Sequence, residues 1–157
     1  MTQKIGDQPG FLLAQVGAHA AAKFAERLVP LELKPSDAGI LRSLKTIPGI
    51  SQQELSAQLG IHPSRLVAVL DGLEERGFIE RRSNSDDRRQ YSLYLTNQGS
   101  AVLQEIGRLA SDHQEDLLGG LGKEEREQLA ELLRRIAHQQ GLKPGVHPGY
   151  KWMNPRS

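Results

Sequence analysis

Arg81-Arg82-Ser83-Asn84-Ser85-Asp86-Asp87-Arg88-Arg89-Gln90-Tyr91-Ser92-Leu93-Tyr94-Leu95-Thr96 reads as two short strands joined by a charged, exposed tip. Tyr91, Leu93 and Leu95 alternate with other residues at the two-residue period of a strand that turns one face to a core. Phe78 and Ile79 open the outgoing strand, and Ser83-Asn84-Ser85-Asp86 supplies turn chemistry. The outcome is a β-ribbon with arginines at its end.

Two helices are expected directly before it. Ser51-Gln52-Gln53-Glu54 is a capping box, Ile50 and Leu55 stand where a hydrophobic staple packs, and Gly60 stops the helix. After a short turn, Pro63 starts a second helix with Leu66, Val69, Leu70 and Leu73 on one face, ending at Gly77. Ser64, Arg65, Ala68 and Gly72 fall on the opposite face, one long donor among small residues. A capped helix, a turn, a second helix of groove-filling length and a basic ribbon together fit a winged helix-turn-helix that reads double-stranded DNA.

Outside this unit the pattern is helical. Leu13, Val16, Ala20, Phe24 and Leu28 recur at three- and four-residue spacing over residues 10 to 29, up to Pro30. Pro35 opens the next helix, with Ile40, Leu41 and Leu44 inward and Pro48-Gly49 as its break. Thr96 caps a helix striped by Val102, Leu103, Ile106, Leu109 and Ala110 and continuing to Leu117, Leu118 and Leu121, with Gly119-Gly120 interrupting it near its end. A last helix carries Leu129, Leu132, Leu133 and Ile136, acidic in its first turn and basic near its end, as the helix dipole favours. The fold class is mostly α with a small β-ribbon. Residues 10–34 form an N-terminal dimerisation helix, 35–96 the winged unit, 97–140 C-terminal dimerisation helices and 141–157, rich in Gly and Pro, an extended tail. The winged unit can bury only one side of the outer helices, so a homodimer is expected.

Composition narrows the function. The chain has 157 residues, enough for one domain with a dimerisation element. No apolar run approaches about 18 residues and the N-terminus is polar, so a cytoplasmic protein with no membrane partner is expected. Zero cysteines remove disulfides, Cys-ligated zinc and thiol switches. The net charge is only +1, so affinity for a polyanion has to be local. Residues 76 to 89 hold five arginines against three carboxylates, whereas residues 97 to 140 hold five basic and eight acidic side chains. Solvated faces of alternating sign would look the same on charge alone.

The order of elements, with Leu73-Glu74-Glu75-Arg76-Gly77-Phe78-Ile79, Asp87-Arg88-Arg89, Leu95-Thr96 and Gly99, resembles the MarR (multiple antibiotic resistance regulator) family of bacterial winged-helix transcription regulators across residues 10 to 140. The resemblance implies a homodimer based on the first, fifth and sixth helices, with the fourth helices in successive major grooves of a pseudo-palindromic operator and the wings at flanking minor grooves. It implies, most often, a repressor released by a small ligand. Carried onto this chain, Arg89 enters the minor groove, Asp87 orients it through a bidentate pair and Arg88 contacts phosphate. Ser51, Gln52 and Gln53 match the helix start that touches phosphates, and His62, Ser64 and Arg65 match the groove-facing opening of the recognition helix. Members commonly place a threonine and then an arginine where this chain has Val67 and Ala68, so base recognition rests on Arg65 or on groove shape.

The same resemblance implies a crevice for a small aromatic or phenolic anion, with His19, Phe24 and Arg42 as lining candidates; no cofactor is expected. A metal-sensing repressor is an alternative. Only His113 and Asp116 have facing helical spacing, however, and no metal ligand is assigned. No phosphate loop, nucleophile elbow or paired-histidine motif is present, so no catalytic residue and no enzyme is expected. The remaining alternative is a winged-helix module that docks proteins along its ribbon, which would lack the steep salt dependence of DNA binding.

Overall fold

The computed structural model describes residues 4–84, 86, 87 and 89–153. Among them are six α-helices and one two-stranded antiparallel sheet: α1 (Pro9–Leu28), α2 (Pro35–Thr46), α3 (Gln52–Leu59), α4 (Pro63–Glu75), β1 (Ile79–Ser83), β2 (Tyr91–Leu95), α5 (Asn97–Leu118) and α6 (Lys123–Gln139). The expected order of elements is reproduced. No helix of the described residues is long and apolar enough to cross a membrane.

The ends of the elements follow from their local chemistry. Ser51 Oγ accepts from the Glu54 amide at 3.0 Å while the Glu54 carboxylate accepts from the Ser51 amide at 3.2 Å, the reciprocal cap the sequence predicts. Gly60 ends α3 at φ 69°, a left-handed conformation that favours glycine. Asp37 accepts from the Lys34 amide at the start of α2, and Thr96 Oγ1 accepts from the Gly99 amide at the start of α5.

The core lies inside the winged unit. Ile40, Leu41 and Leu44 of α2 meet Leu55 of α3, Leu66 and Leu70 of α4, Ile79 and Leu93 of the ribbon, and Leu28 from the end of α1. Each such side chain contributes about 1.5–3 kcal/mol by leaving water. In the ribbon, Ile79 pairs with Leu95, Arg81 with Leu93 and Ser83 with Tyr91. The Leu93 carbonyl accepts from the Gly49 amide and the Leu93 amide donates to the Ile50 carbonyl, both at 2.9 Å. The turn between α2 and α3 therefore adds a single β-bridge, Ser51 opposite Ser92, to the free edge of the ribbon.

The outer helices are barely covered. Of α1 only Leu28 is buried, and α6 has no buried residue. Phe11, Leu12, Leu13 and Val16 of α1 stand open, as do Leu132, Leu133 and Ile136 of α6, with Val16 at 51 % and Leu132 at 53 % exposure.

Residues 141–153 correct the expected extended tail. Gly141 and Gly145 adopt φ 70° and 72° and turn the chain back, and Pro148–Trp152 forms a short 3-10 helix. Tyr150 is buried in the same core, and its hydroxyl donates to the Ser36 carbonyl at 2.7 Å. A segment without helical period can still dock when one aromatic ring finds a slot and a hydrogen-bond partner. Trp152, two residues on, is exposed. Residues 154–157 lie outside the described set.

Gly99 offers a test of the ribbon's seat. Alanine ordinarily favours a helix over glycine. A Cβ at Gly99, though, would collide with the Phe78 carbonyl oxygen and press on Leu95. Gly99→Ala is therefore expected to destabilise the fold by about 1–3 kcal/mol, measured by urea unfolding; a stabilised variant would refute this packing.

Candidate nucleic-acid interface

The side of the winged unit away from its core is built by α4, the start of α3 and the ribbon tip. Along the first turns of α4 the open residues are Pro63, Ser64, Val67, Ala68, Asp71 and Gly72, with Glu74 and Glu75 exposed at its end. Those of the first turns form a mostly small, nearly neutral surface, narrower in chemistry than the face expected from spacing. His62 caps this helix: its Nδ1 accepts from the Ser64 amide at 3.2 Å and lies 2.8 Å from the Ser64 hydroxyl. The cap orders both residues at the opening of α4, and both remain exposed.

Arg65 departs from the expected pose. It is half-buried, at the edge of a shallow cavity of about 230 Å³ between the start of α2 and α4, lined also by Lys34, Ser36, Asp37, Ala68 and Arg76. Its Nε is enclosed and has no hydrogen-bond partner. An enclosed donor left unmade is costly, so the side chain gains by swinging out to an acceptor.

At the start of α3 the three matched residues divide. Ser51 is buried and its hydroxyl accepts from the Glu54 amide in the helix cap, which fixes the start of α3. Gln52 accepts from Arg81, and the exposed Gln53 pairs with Gln90 at 2.9 Å, tying α3 to the ribbon. At the tip, Asn84 accepts from the Asp86 amide and Asp87 from the Arg89 amide, each at 2.9 Å. Asp87 thus meets Arg89 through its backbone, not through the expected bidentate guanidinium pair. A carboxylate two residues upstream closes an Asx turn with far less side-chain ordering. The Arg89 side chain is exposed and has no ion partner among the described residues. Arg88 lies outside the described residues.

Most of the arginine excess serves the fold. Arg81, opposite Leu93, turns back toward α4 and engages Asp71 and Glu74, which keeps its guanidinium charged above its ordinary range. Arg76 donates to the Leu31 and Glu32 carbonyls, both at 2.7 Å, and lies 4.8 Å from the Phe78 ring. Arg82 pairs with Glu80 and covers Tyr94 at 4.2 Å. The signal for Arg81 was in the sequence: its alternation with Ile79 puts it on the inward face, where a charge needs partners.

The other candidates gather between α1 and α5. His19, Lys23, Glu26, Arg27, His113, Asp116 and Leu117 line a cavity of about 360 Å³. Asp116 is ion-paired with Arg27, and Phe24 packs on the His113 ring at 5.5 Å. Burial, then the nearby Arg27 and His19, hold His113 below the usual histidine range. The folded chain therefore binds that proton less tightly than the unfolded one, and stability falls as pH drops through the histidine range. Arg42 is elsewhere, donating to the Gly145 carbonyl.

The sequence matches the MarR family over residues 33–91, from the approach to α2 into the start of β2. A Thauera aromatica protein assigned as a transcriptional regulatory protein for the hcr operon is 32% identical over 136 residues, 86% of this chain and 82% of that protein. The chain belongs to the MarR family. Among solved MarR-type structures, the transcriptional repressor CouR bound to a 23-mer DNA duplex has a TM-score of 0.76 at 33% identity, covering 87% of this chain and 99% of CouR. An E. coli MarR variant complexed with operator DNA has a TM-score of 0.72 at 25% identity, covering 85% and 99%. These relatives are transcriptional regulators, not enzymes.

For this MarR-family chain, the roles of two neighbouring arginines separate cleanly. Arg81→Ala leaves two carboxylates facing each other under the ribbon and is expected to cost about 1–3 kcal/mol in chemical unfolding. Arg82→Ala, an exposed pair, is expected to change stability by less than about 1 kcal/mol. Equal effects would contradict the anchoring role of Arg81.

Proposed function

We propose that this chain is a homodimeric transcriptional regulator that binds a pseudo-palindromic DNA operator, acts as a repressor and is released by a small anionic effector. The reading rests on one observation above the others: α4, the start of α3 and the Arg89 tip are bonded into one unit that presents a small-residue helix face beside a cation with no ion partner among the described residues. The DNA-bound relatives share this fold over most of their length. A close-fitting neutral helix suits the major groove, and a guanidinium on a ribbon suits a narrow minor groove. Gln53, His62, Ser64, Arg65 and Arg88 complete the proposed contacts.

The dimer is supported by the open apolar faces of α1 and α6, which have no cover within one subunit. A two-fold arrangement of these helices would bury both and set two reading heads apart at operator spacing. The effector is proposed to occupy the cavity of His19, Lys23, Arg27 and His113. Its lining suits a small aromatic or phenolic carboxylate, which would compete with Asp116 for Arg27 and loosen α1 from α5. Such a ligand shifts the equilibrium only by binding one head spacing better than another.

Operator affinity, measured by fluorescence anisotropy on DNA selected by the wild-type protein, is expected to fall about a thousandfold between 50 and 200 mM salt. Arg89→Ala should weaken it by roughly tenfold with a shallower salt slope. A salt-independent complex would instead favour the protein-docking module. In sedimentation experiments, Leu132→Asp combined with Ile136→Asp is expected to yield monomers that lose high-affinity operator binding, since each buried charge faces its symmetry mate's apolar surface. A wild-type monomer would overturn the dimer.

A further inference from the structure

We propose that residues 141–153 are a strap that ties the reading head to the end of α6 and restricts the spacings at which two heads can sit. The proposal rests on the operator-binding dimer above and adds to it a part that sets the head's position.

The strap is held at several points along its length. Lys143 Nζ donates to the Ala57 carbonyl at 3.0 Å and lies 3.4 Å from the Gln58 carbonyl, placing a cation on the C-terminal end of α3 where the helix dipole favours it. Arg42 of α2 donates to the Gly145 carbonyl. Val146 and Met153 pack against the core, and the Lys151 stem lies along Gly60 in the turn that leads to α4. Tyr150 is the deepest anchor: it is 6 % exposed, burial pushes its hydroxyl up to about 12, and it occupies the space that a Cβ on Gly39 would take. Gly39 and Tyr150 are thus matched across α2.

Lys143 follows the last residue of α6, Gln139, by only four positions. Four residues reach at most about 14 Å when extended. While Lys143 is bound to α3, the end of α6 stays within about 20 Å of it, the extended link plus the lysine side chain. The Gly141 and Leu142 amides, bonded back to the His138 and Ala137 carbonyls, shorten that link further. One base pair of added half-site spacing moves a head by about 3.4 Å and turns it by about a tenth of a revolution. A head on a short tether resists such a move, whereas a head without the strap turns freely about α5 and the end of α1.

The test uses full-length protein and DNA selected from a random pool by the wild type, with one or two base pairs inserted between half-sites. Gly39→Ala and Tyr150→Ala each remove the main anchor, one from each side of the contact, and Tyr150→Phe keeps the ring. Trp152, the sole tryptophan, reports release through its anisotropy decay. The wild type and Tyr150→Phe are expected to lose about tenfold or more in affinity per insertion. In Gly39→Ala and Tyr150→Ala, Trp152 should become mobile and the loss per insertion should drop below about threefold. Mobile Trp152 with unchanged discrimination would overturn the strap's role, and Trp152 unmoved in both variants would overturn the contact. If the wild type selects no sequence at all, the operator-binding reading fails instead.

Discussion

Leu93 is the residue on which the geometry of this protein turns. Its side chain is buried among α2, α3 and α4, and its backbone is bonded on both sides to Gly49 and Ile50. A hairpin alone in water is marginal. Seated this way, and braced on the same inward face by Arg81 on Asp71 and Glu74, it becomes part of the helix-turn-helix. The ribbon tip and the outer face of α4 then move together, so a contact made by Arg89 constrains where α4 lies.

That seating has an electrostatic consequence. A polyanion-binding surface is usually sought by counting cations, and the stretch from Arg76 to Arg89 is rich in them. Arg76 and Arg81 hold backbone carbonyls and carboxylates of the protein itself, and Arg82 lies at the surface paired with Glu80 over the Tyr94 ring. Without an ion partner among the described residues are Arg89 at the tip and the half-buried Arg65 at the side of α4, beside Ser64, Val67 and Ala68. Such a surface has few groups able to distinguish base edges by hydrogen bonds. In the proposed complex with DNA it would favour recognition through groove width and close backbone approach, for which small side chains are an advantage.

The outer helices belong to a different physical problem. Their apolar stripes run well beyond the winged unit, and neither α1 nor α6 is closed by the chain's own residues. The Arg27 and Asp116 pair and the Phe24 and His113 contact join α1 to α5, and the docked segment around Tyr150 links the chain after α6 to α2 of the winged unit.

Element order and helix ends were legible in the sequence because they depend on short-range chemistry. The capping box at Ser51 and Glu54, the stop at Gly60, the proline starts at Pro35 and Pro63 and the alternation of Leu93 and Leu95 all act within a few residues. What the sequence could not settle was which of two chemically equal side chains faces inward and finds a partner. Arg81 and Arg82 are adjacent and identical, yet one is an anchor and the other a surface cation. Ser51 and Ser64 both open helices, but one hydroxyl is buried in its cap and the other is exposed. The tail shows the same limit: Tyr150 docks only because Gly39 and Ser36, more than a hundred residues earlier, leave a slot and a carbonyl for it. Local backbone preference is written in neighbouring residues, whereas the burial of a polar or aromatic group depends on surfaces that meet only after the chain has folded.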